Sequence, residues 1–223
     1  MGSYEDAVDT LETELKGVEG VFAGLSPDHW ALPTKLIPLD VEKRRWTVFE
    51  LAGHFDISIG LAHMLIDSKQ DGQPGRDRTS FFIFPRSEVA PAVYDYAYTM
   101  VAGKTPADMP AVLHETFSKV IDGARATAPE TVGSGYYALM RLDEFVTSRI
   151  VEAVVHGLDL TDALARPAIA TPAGIKVTAQ ILDDLLARRT VAGRPADLSD
   201  DWAWIMAASG RSEHPDPRLP LIG

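Results

Sequence analysis

Glu152-Ala153-Val154-Val155-His156 sets a carboxylate and an imidazole four residues apart. On a helix that step puts both on one face, about one turn apart, where they can reach a single metal ion. Arg149 and Asp159 extend the stripe by three residues on either side, and Asp162 lies at its edge. Ile150, Val151, Val154, Val155 and Leu158 occupy the other side. A surface helix with its charges in water has the same pattern, so the pair needs a third group before it implies chemistry. His54 is the candidate. On a helical wheel its neighbours are Leu51, Ile57, Leu61 and Leu65, so its ring points inward, whereas His63 falls on the opposite side with Asp56 and reads as solvated. A buried histidine commonly satisfies its nitrogens with nearby carbonyls, yet bundle metal sites are built from side chains on facing helices. Glu50, four residues before His54, competes as a fourth ligand. As the last residue of Thr47-Val48-Phe49-Glu50 it also fits the glutamate of a capping box. His29, His114 and His214 fit no spacing and read as surface residues.

Two histidines and one carboxylate permit two chemistries. With zinc they form a three-ligand set with open positions for water or substrate; with iron(II) they form the triad of non-haem oxygenases. A thiol bound at zinc loses its proton near neutral pH and becomes a nucleophile. Asp159 is placed either to accept the second ring proton of His156 or to stand as a solvated charge. The sequence has no cysteine, which excludes disulfides, thiolate ligands and a cysteine nucleophile; any thiol must come from solution. Walker-type and dinucleotide-binding glycine patterns and the GxSxG elbow are missing too.

The elements that must carry these residues read as helices. In 4–25, Ala7, Val8, Leu11, Leu15, Val18, Phe22 and Leu25 recur mostly at three- and four-residue steps, and Ser26-Pro27 ends the run. Pro33 and Pro38 make 31–45 a connector. A second helix opens at Thr47 and runs to about Ser68. KQDGQPGRDRTS (69–80) reads as a surface loop, and SFFIFPR after it as a strand or buried loop. Helical segments follow near 88–103 and 106–127, with Pro110 in a first turn. Thr131 to Gly135 is a break before a long helix from about 136 to 165. Thr171-Pro172 starts a helix over 173–189, and a shorter one lies near 199–209. The expectation is an all-α fold, a four-helix bundle over 1–165 with a small C-terminal helical extension over 166–223. At 223 residues and 46% hydrophobic content the chain can bury a sizeable core. A net charge of −11, from 21 basic and 32 acidic residues, argues against nucleic acid and anionic membranes as partners. The absence of a signal peptide or membrane span makes the cytoplasm the expected location.

Trp46-Thr47-Val48-Phe49-Glu50-Leu51-Ala52-Gly53-His54 resembles the W-x-x-x-D/E-L-x-x-H signature of the mycothiol-dependent maleylpyruvate isomerase family, part of the DinB-like superfamily. Glu152 to Leu160 resembles its second signature, E-x-x-x-H-x-x-D-L. Ala208-Ser209-Gly210-Arg211 and Asp216-Pro217-Arg218-Leu219-Pro220-Leu221 resemble its tail. The resemblance implies a DinB-like four-helix bundle binding a divalent metal, usually zinc, through His54, Glu152 and His156. It implies a low-molecular-weight thiol such as mycothiol as co-substrate. The activities it implies are thiol transfer to an electrophilic small molecule and cis–trans isomerisation of a maleylpyruvate-like substrate; a metal-binding or pathway-specific module without thiol transfer is the other reading. Arg211 is a candidate counterpart of the family's catalytic C-terminal arginine. Many members carry an arginine directly before the ligand glutamate, where this chain has Val151, with Arg149 two residues earlier. A monomer or homodimer is expected.

Overall fold

In the computed structural model, which describes residues 2–36, 44–84 and 86–222, seven α-helices, three short 3₁₀ turns and one short hairpin account for the regular structure among the described residues. Residues 37–43 of the expected connector, Pro38 among them, and Pro85 of the SFFIFPR run lie outside the described residues. Helices α1 (Tyr4–Ala23), α2 (Val48–Asp67), α4 (Met109–Ala126) and α5 (Leu142–Ala163) form a ring in which α1 packs on α4 and α5, and α2 packs on the same two. Helix α3 (Arg86–Val101) lies along the outside of α2. Helix α6 (Pro172–Arg189) packs on α5, and α7 (Asp201–Ala208) on α6. The fold is all-α, a four-helix bundle with a small helical addition. No helix among the described residues is long and apolar enough to cross a membrane.

Local signals set the helix starts. Ser3 and Asp6 cap α1 reciprocally, Ser3 accepting from the Asp6 N–H at 3.2 Å and Asp6 from the Ser3 N–H at 2.7 Å. Thr47 and Glu50 do the same for α2. Thr171 caps α6 ahead of Pro172, and Asp200 caps α7. Apolar periodicity then builds the core. Leu11, Leu15 and Phe22 from α1, Leu51, Phe55 and Ile59 from α2, Leu113 and Phe117 from α4, and Phe145 and Ile150 from α5 are almost wholly buried. Each such side chain contributes about 1.5–3 kcal/mol. Phe55 meets Phe22 and Phe117 edge-on, with centroids 5.9 and 6.5 Å away, and also the ring of His156 at 6.2 Å. The hydrophobic centre therefore abuts the polar stripe of α5.

Two close approaches require glycine. A Cβ on Gly53, beside His54, would stand 2.6 Å from the Ala97 carbonyl oxygen and 2.8 Å from Val101 of α3. A Cβ on Gly133 would run into the Leu65 carbonyl. The second contact seats the hairpin of β1 (Val132–Ser134) and β2 (Leu139–Arg141), antiparallel with Gly133 opposite Met140, on the end of α2.

The structure corrects the sequence reading in four places. The long helix starts at Leu142 rather than 136, because residues 136–141 form the hairpin turn and β2. Of the two readings of the SFFIFPR run, strand or buried loop, the strand is the one overturned: the run opens as a 3₁₀ turn, Ser80–Phe82, with Phe81 and Phe82 buried. Asp56 is buried and accepts a 2.5 Å hydrogen bond from Thr116, so it is not on a solvated face; His63 remains partly exposed beside Asp67. The stripe of α5 also faces inward, since α1, α2 and α6 cover that helix: Arg149 is 1% exposed and Asp159 4%. Only Asp162, paired with Lys35 at 2.9 Å, remains at the surface.

Candidate metal centre

Helix α2 delivers His54 from its second turn, and α5 delivers Glu152 and His156 from consecutive turns. Their donor atoms converge. The Nε2 atoms of His54 and His156 are 3.0 Å apart, and Glu152 Oε2 lies 3.6 Å from the first and 3.4 Å from the second. Zinc with ligands at about 2.0–2.1 Å in tetrahedral geometry separates neighbouring ligand atoms by about 3.3–3.4 Å. The spacing and the N,N,O donor set fit such a cation. Among the described residues this is the group of histidines and carboxylates close enough to share one ion.

The surroundings prepare these atoms. His156 Nδ1 is 2.9 Å from Asp159 Oδ2, which places the proton on Nδ1 and turns the Nε2 lone pair toward the cluster. Arg211, from the segment after α7, clamps the same carboxylate with two hydrogen bonds of 3.0 and 2.6 Å and donates its remaining arm to the Ser209 carbonyl. Burial pushes the Asp159 carboxyl up, but the Arg211 charge and the His156 hydrogen bond outweigh it and hold the carboxyl down at about 2. Burial likewise opposes the charge on Glu152; His156, His54 and Arg149 overcome it and keep the group ionised well below the usual range. The two imidazoles diverge. Burial and the neighbouring His156 push His54 down, while Asp159 and Glu152 outweigh burial and raise His156. Among the described residues His54 has no counterpart to Asp159: its Nδ1 is buried without a hydrogen-bond partner, and the ring is held instead against Trp46 at 5.0 Å.

Arg149 backs the cluster. Its guanidinium sits between the rings of Phe81 and Phe145, 4.5 Å from each, and donates to the Ser58 carbonyl at 2.8 Å and to Ser148 Oγ at 3.1 and 3.3 Å. It stands 4.0 Å from Glu152 Oε1. Glu50 does not join. It bonds the Thr47 N–H at 2.7 Å, the Thr47 hydroxyl and Arg44, which completes the capping box and leaves it no free oxygen for a cation.

The cluster forms one wall of a cavity of about 460 Å³. Trp46, Phe81, Phe82, Tyr94, Tyr137 and Val155 supply much of the remaining lining. The Phe81–Phe82 pair and the hairpin turn were not legible as a site in the sequence; their only signal was aromatic density. Arg211, Pro220, Leu221 and Ile222 from the C-terminal segment also line the cavity. His29, His114 and His214 lie elsewhere, His29 within its own 3₁₀ turn, His114 beside Glu19 and His214 beside Asp197.

A family profile, the mycothiol maleylpyruvate isomerase N-terminal domain, matches residues 11–161. The chain belongs to that family. The match spans well over half of the chain, includes all three convergent residues, and agrees with the DinB-like helical bundle described above. It stops before Arg211, so the clamp on Asp159 lies outside the matched span. Searches of curated proteins and of solved structures return no significant match. The family relates the chain to mycothiol and to isomerase-like chemistry.

Proposed function

We propose that this protein is a metal-dependent enzyme that activates a low-molecular-weight thiol, mycothiol or a close equivalent, for transfer to an electrophilic small molecule. His54, Glu152 and His156 are the metal ligands. The observation that carries the reading is the convergence of three lone-pair donors on the wall of a cavity that is otherwise mostly apolar. A divalent cation held there, zinc by the donor set, supplies the positive charge that keeps a thiol ionised near neutral pH. The side chains do the rest. Asp159 fixes the tautomer of His156, Arg211 fixes Asp159 as a positioning residue, and the aromatic wall holds the acceptor and limits water around it. In the transfer, the thiol proton goes to water, a sulfur–carbon bond forms, and either a leaving group departs with its electron pair or the electrons of a conjugated double bond move to its carbonyl and are protonated.

A second reading is cis–trans isomerisation, in which the same adduct forms, the former double bond rotates, and the thiol leaves. The family match favours it. Elemental analysis of protein purified without added metal or a His-tag tests the ligand assignment. About one zinc per chain is expected; no metal, even after zinc is offered, overturns it. Thiol-dependent loss of an electrophile then separates transfer, which consumes thiol, from isomerisation, which does not.

A further inference from the structure

Glu152 turns its two oxygens to different partners. Oε2 lies 3.6 Å from His54 Nε2 and 3.4 Å from His156 Nε2, whereas Oε1 faces Arg149, whose Nη2 stands 4.0 Å away. That gap is too long for a hydrogen bond, yet across it two buried charges attract strongly. Arg149 is not free to close it. The Ser58 carbonyl and Ser148 Oγ take three of its five N–H groups, and the Phe145 ring lies 4.5 Å from the guanidinium carbon. Ser58 sits one turn beyond His54 on α2, and Arg149 three residues before Glu152 on α5, so both helices that supply the cluster also fix the arginine beside it. Among the described residues it hydrogen-bonds to no carboxylate, and at 1% exposure it offers almost no surface to a molecule in the cavity. A charge buried in this way is costly. Its reach is to Glu152, and through Glu152 to the metal position.

Resting on the metal-dependent reading, we infer that Arg149 is a positioning residue: by drawing Oε1 aside it leaves Glu152 one oxygen to share with a cation on His54 and His156, and so keeps a coordination position open for sulfur. A carboxylate that gives both oxygens would fill that position. Charge agrees. Glu152 and Arg149 cancel, so a divalent cation keeps both of its charges for an incoming thiolate. The same arginine repels the cation, so its removal should tighten metal binding, where loss of an ordinary support would loosen it.

Cobalt(II) in place of zinc reads the coordination directly, because its visible bands are strong in four-coordination and weak in five or six. Wild-type protein is expected to bind about one cobalt per chain with the strong bands, and to add a sulfur-to-cobalt charge-transfer band as 2-mercaptoethanol is titrated in. Arg149→Met, apolar and similar in length, is expected to weaken the visible bands at equal cobalt content and to need about fivefold more thiol for the same charge-transfer band. It is also expected to hold zinc at least about fivefold tighter in chelator competition. Arg149→Lys, which keeps the charge, should restore the wild-type spectrum and affinity. The inference is overturned by weak bands in the wild type, a measurement that depends on no variant folding. It is overturned equally by an Arg149→Met protein of intact helical content whose spectrum is unchanged or whose zinc is held more loosely. No uptake of cobalt or zinc by the wild type removes the ligand assignment, and this inference with it; uptake with weak bands removes this inference alone.

Discussion

Glu14 on α1 is buried and Glu152 on α5 is nearly so, both glutamates lie inside long bundle helices, and the molecule treats them in opposite ways. Among the described residues, Glu14 is hydrogen-bonded at the start of α6, where Thr171 donates its N–H at 2.9 Å and its hydroxyl. No cation among the described residues faces it, and burial pushes its carboxyl above the usual range in spite of those two hydrogen bonds. Glu152 faces two imidazoles and an arginine, and is held well below that range. One carboxylate ties two helices together, whereas the other is an ionised donor beside a cavity. Burial alone therefore does not mark a site; convergence of lone pairs, with charge arranged to keep them available, does.

The comparison can be broken most directly at His156. His156→Ala is expected to weaken metal retention more than about 100-fold, since even the supporting partners of ligands are worth 10–100-fold. Far-UV circular dichroism should change little, because the bundle core is untouched. Equal metal content in the variant would remove the distinction between the two glutamates. One step out, Asp159→Asn should cost about 10–100-fold in metal affinity by chelator competition, with the fold retained.

The structural side is tested at Glu14. Glu14→Ala leaves the Thr171 donors unpaired and should lower unfolding free energy by about 1–3 kcal/mol in urea, with metal content unchanged. Its pH dependence has a definite sign. A carboxyl raised in the folded state binds its proton more tightly there than in the unfolded chain. Its stabilising contribution is thus complete below the unfolded pKa and fades as pH rises through the folded one. Glu14→Gln, which cannot ionise, should gain stability relative to the wild type over the interval in which pH rises from about 4 through the folded pKa. Thermal melts across that interval give the sign. The smallest effect belongs to Glu50: Glu50→Gln should cost about 0.5–1 kcal/mol through the cap of α2 and leave metal content as it was.

Much of this was readable in the amino-acid order. Three- and four-residue spacing located all the bundle helices, the Thr47–Glu50 cap was identified from its motif, and the inward face of α2 placed His54 opposite the Glu152–His156 pair. The remainder depended on packing between distant segments. Arg149 reads as a solvent charge along α5 and Asp159 as either that or a partner of His156; the return of the chain after α7, with Arg211, completes the burial of Asp159. Much of the aromatic wall comes from a four-residue apolar run too short to assign and from a hairpin whose strands are three residues each.

Gly53 bears on how such a protein changes its habits over evolutionary time. Because α3 rests on the backbone of α2 at the residue next to His54, the tyrosines of α3 and the histidine share one seat. Variation on α3 cannot be sampled without jostling the ligand. The Phe81–Phe84 segment and the hairpin turn, although Tyr136 of the turn meets Tyr96 of α3, make no such backbone contact beside His54 among the described residues. Divergence within this lineage should accordingly accumulate in those two segments, with α3 inherited almost as strictly as the ligands.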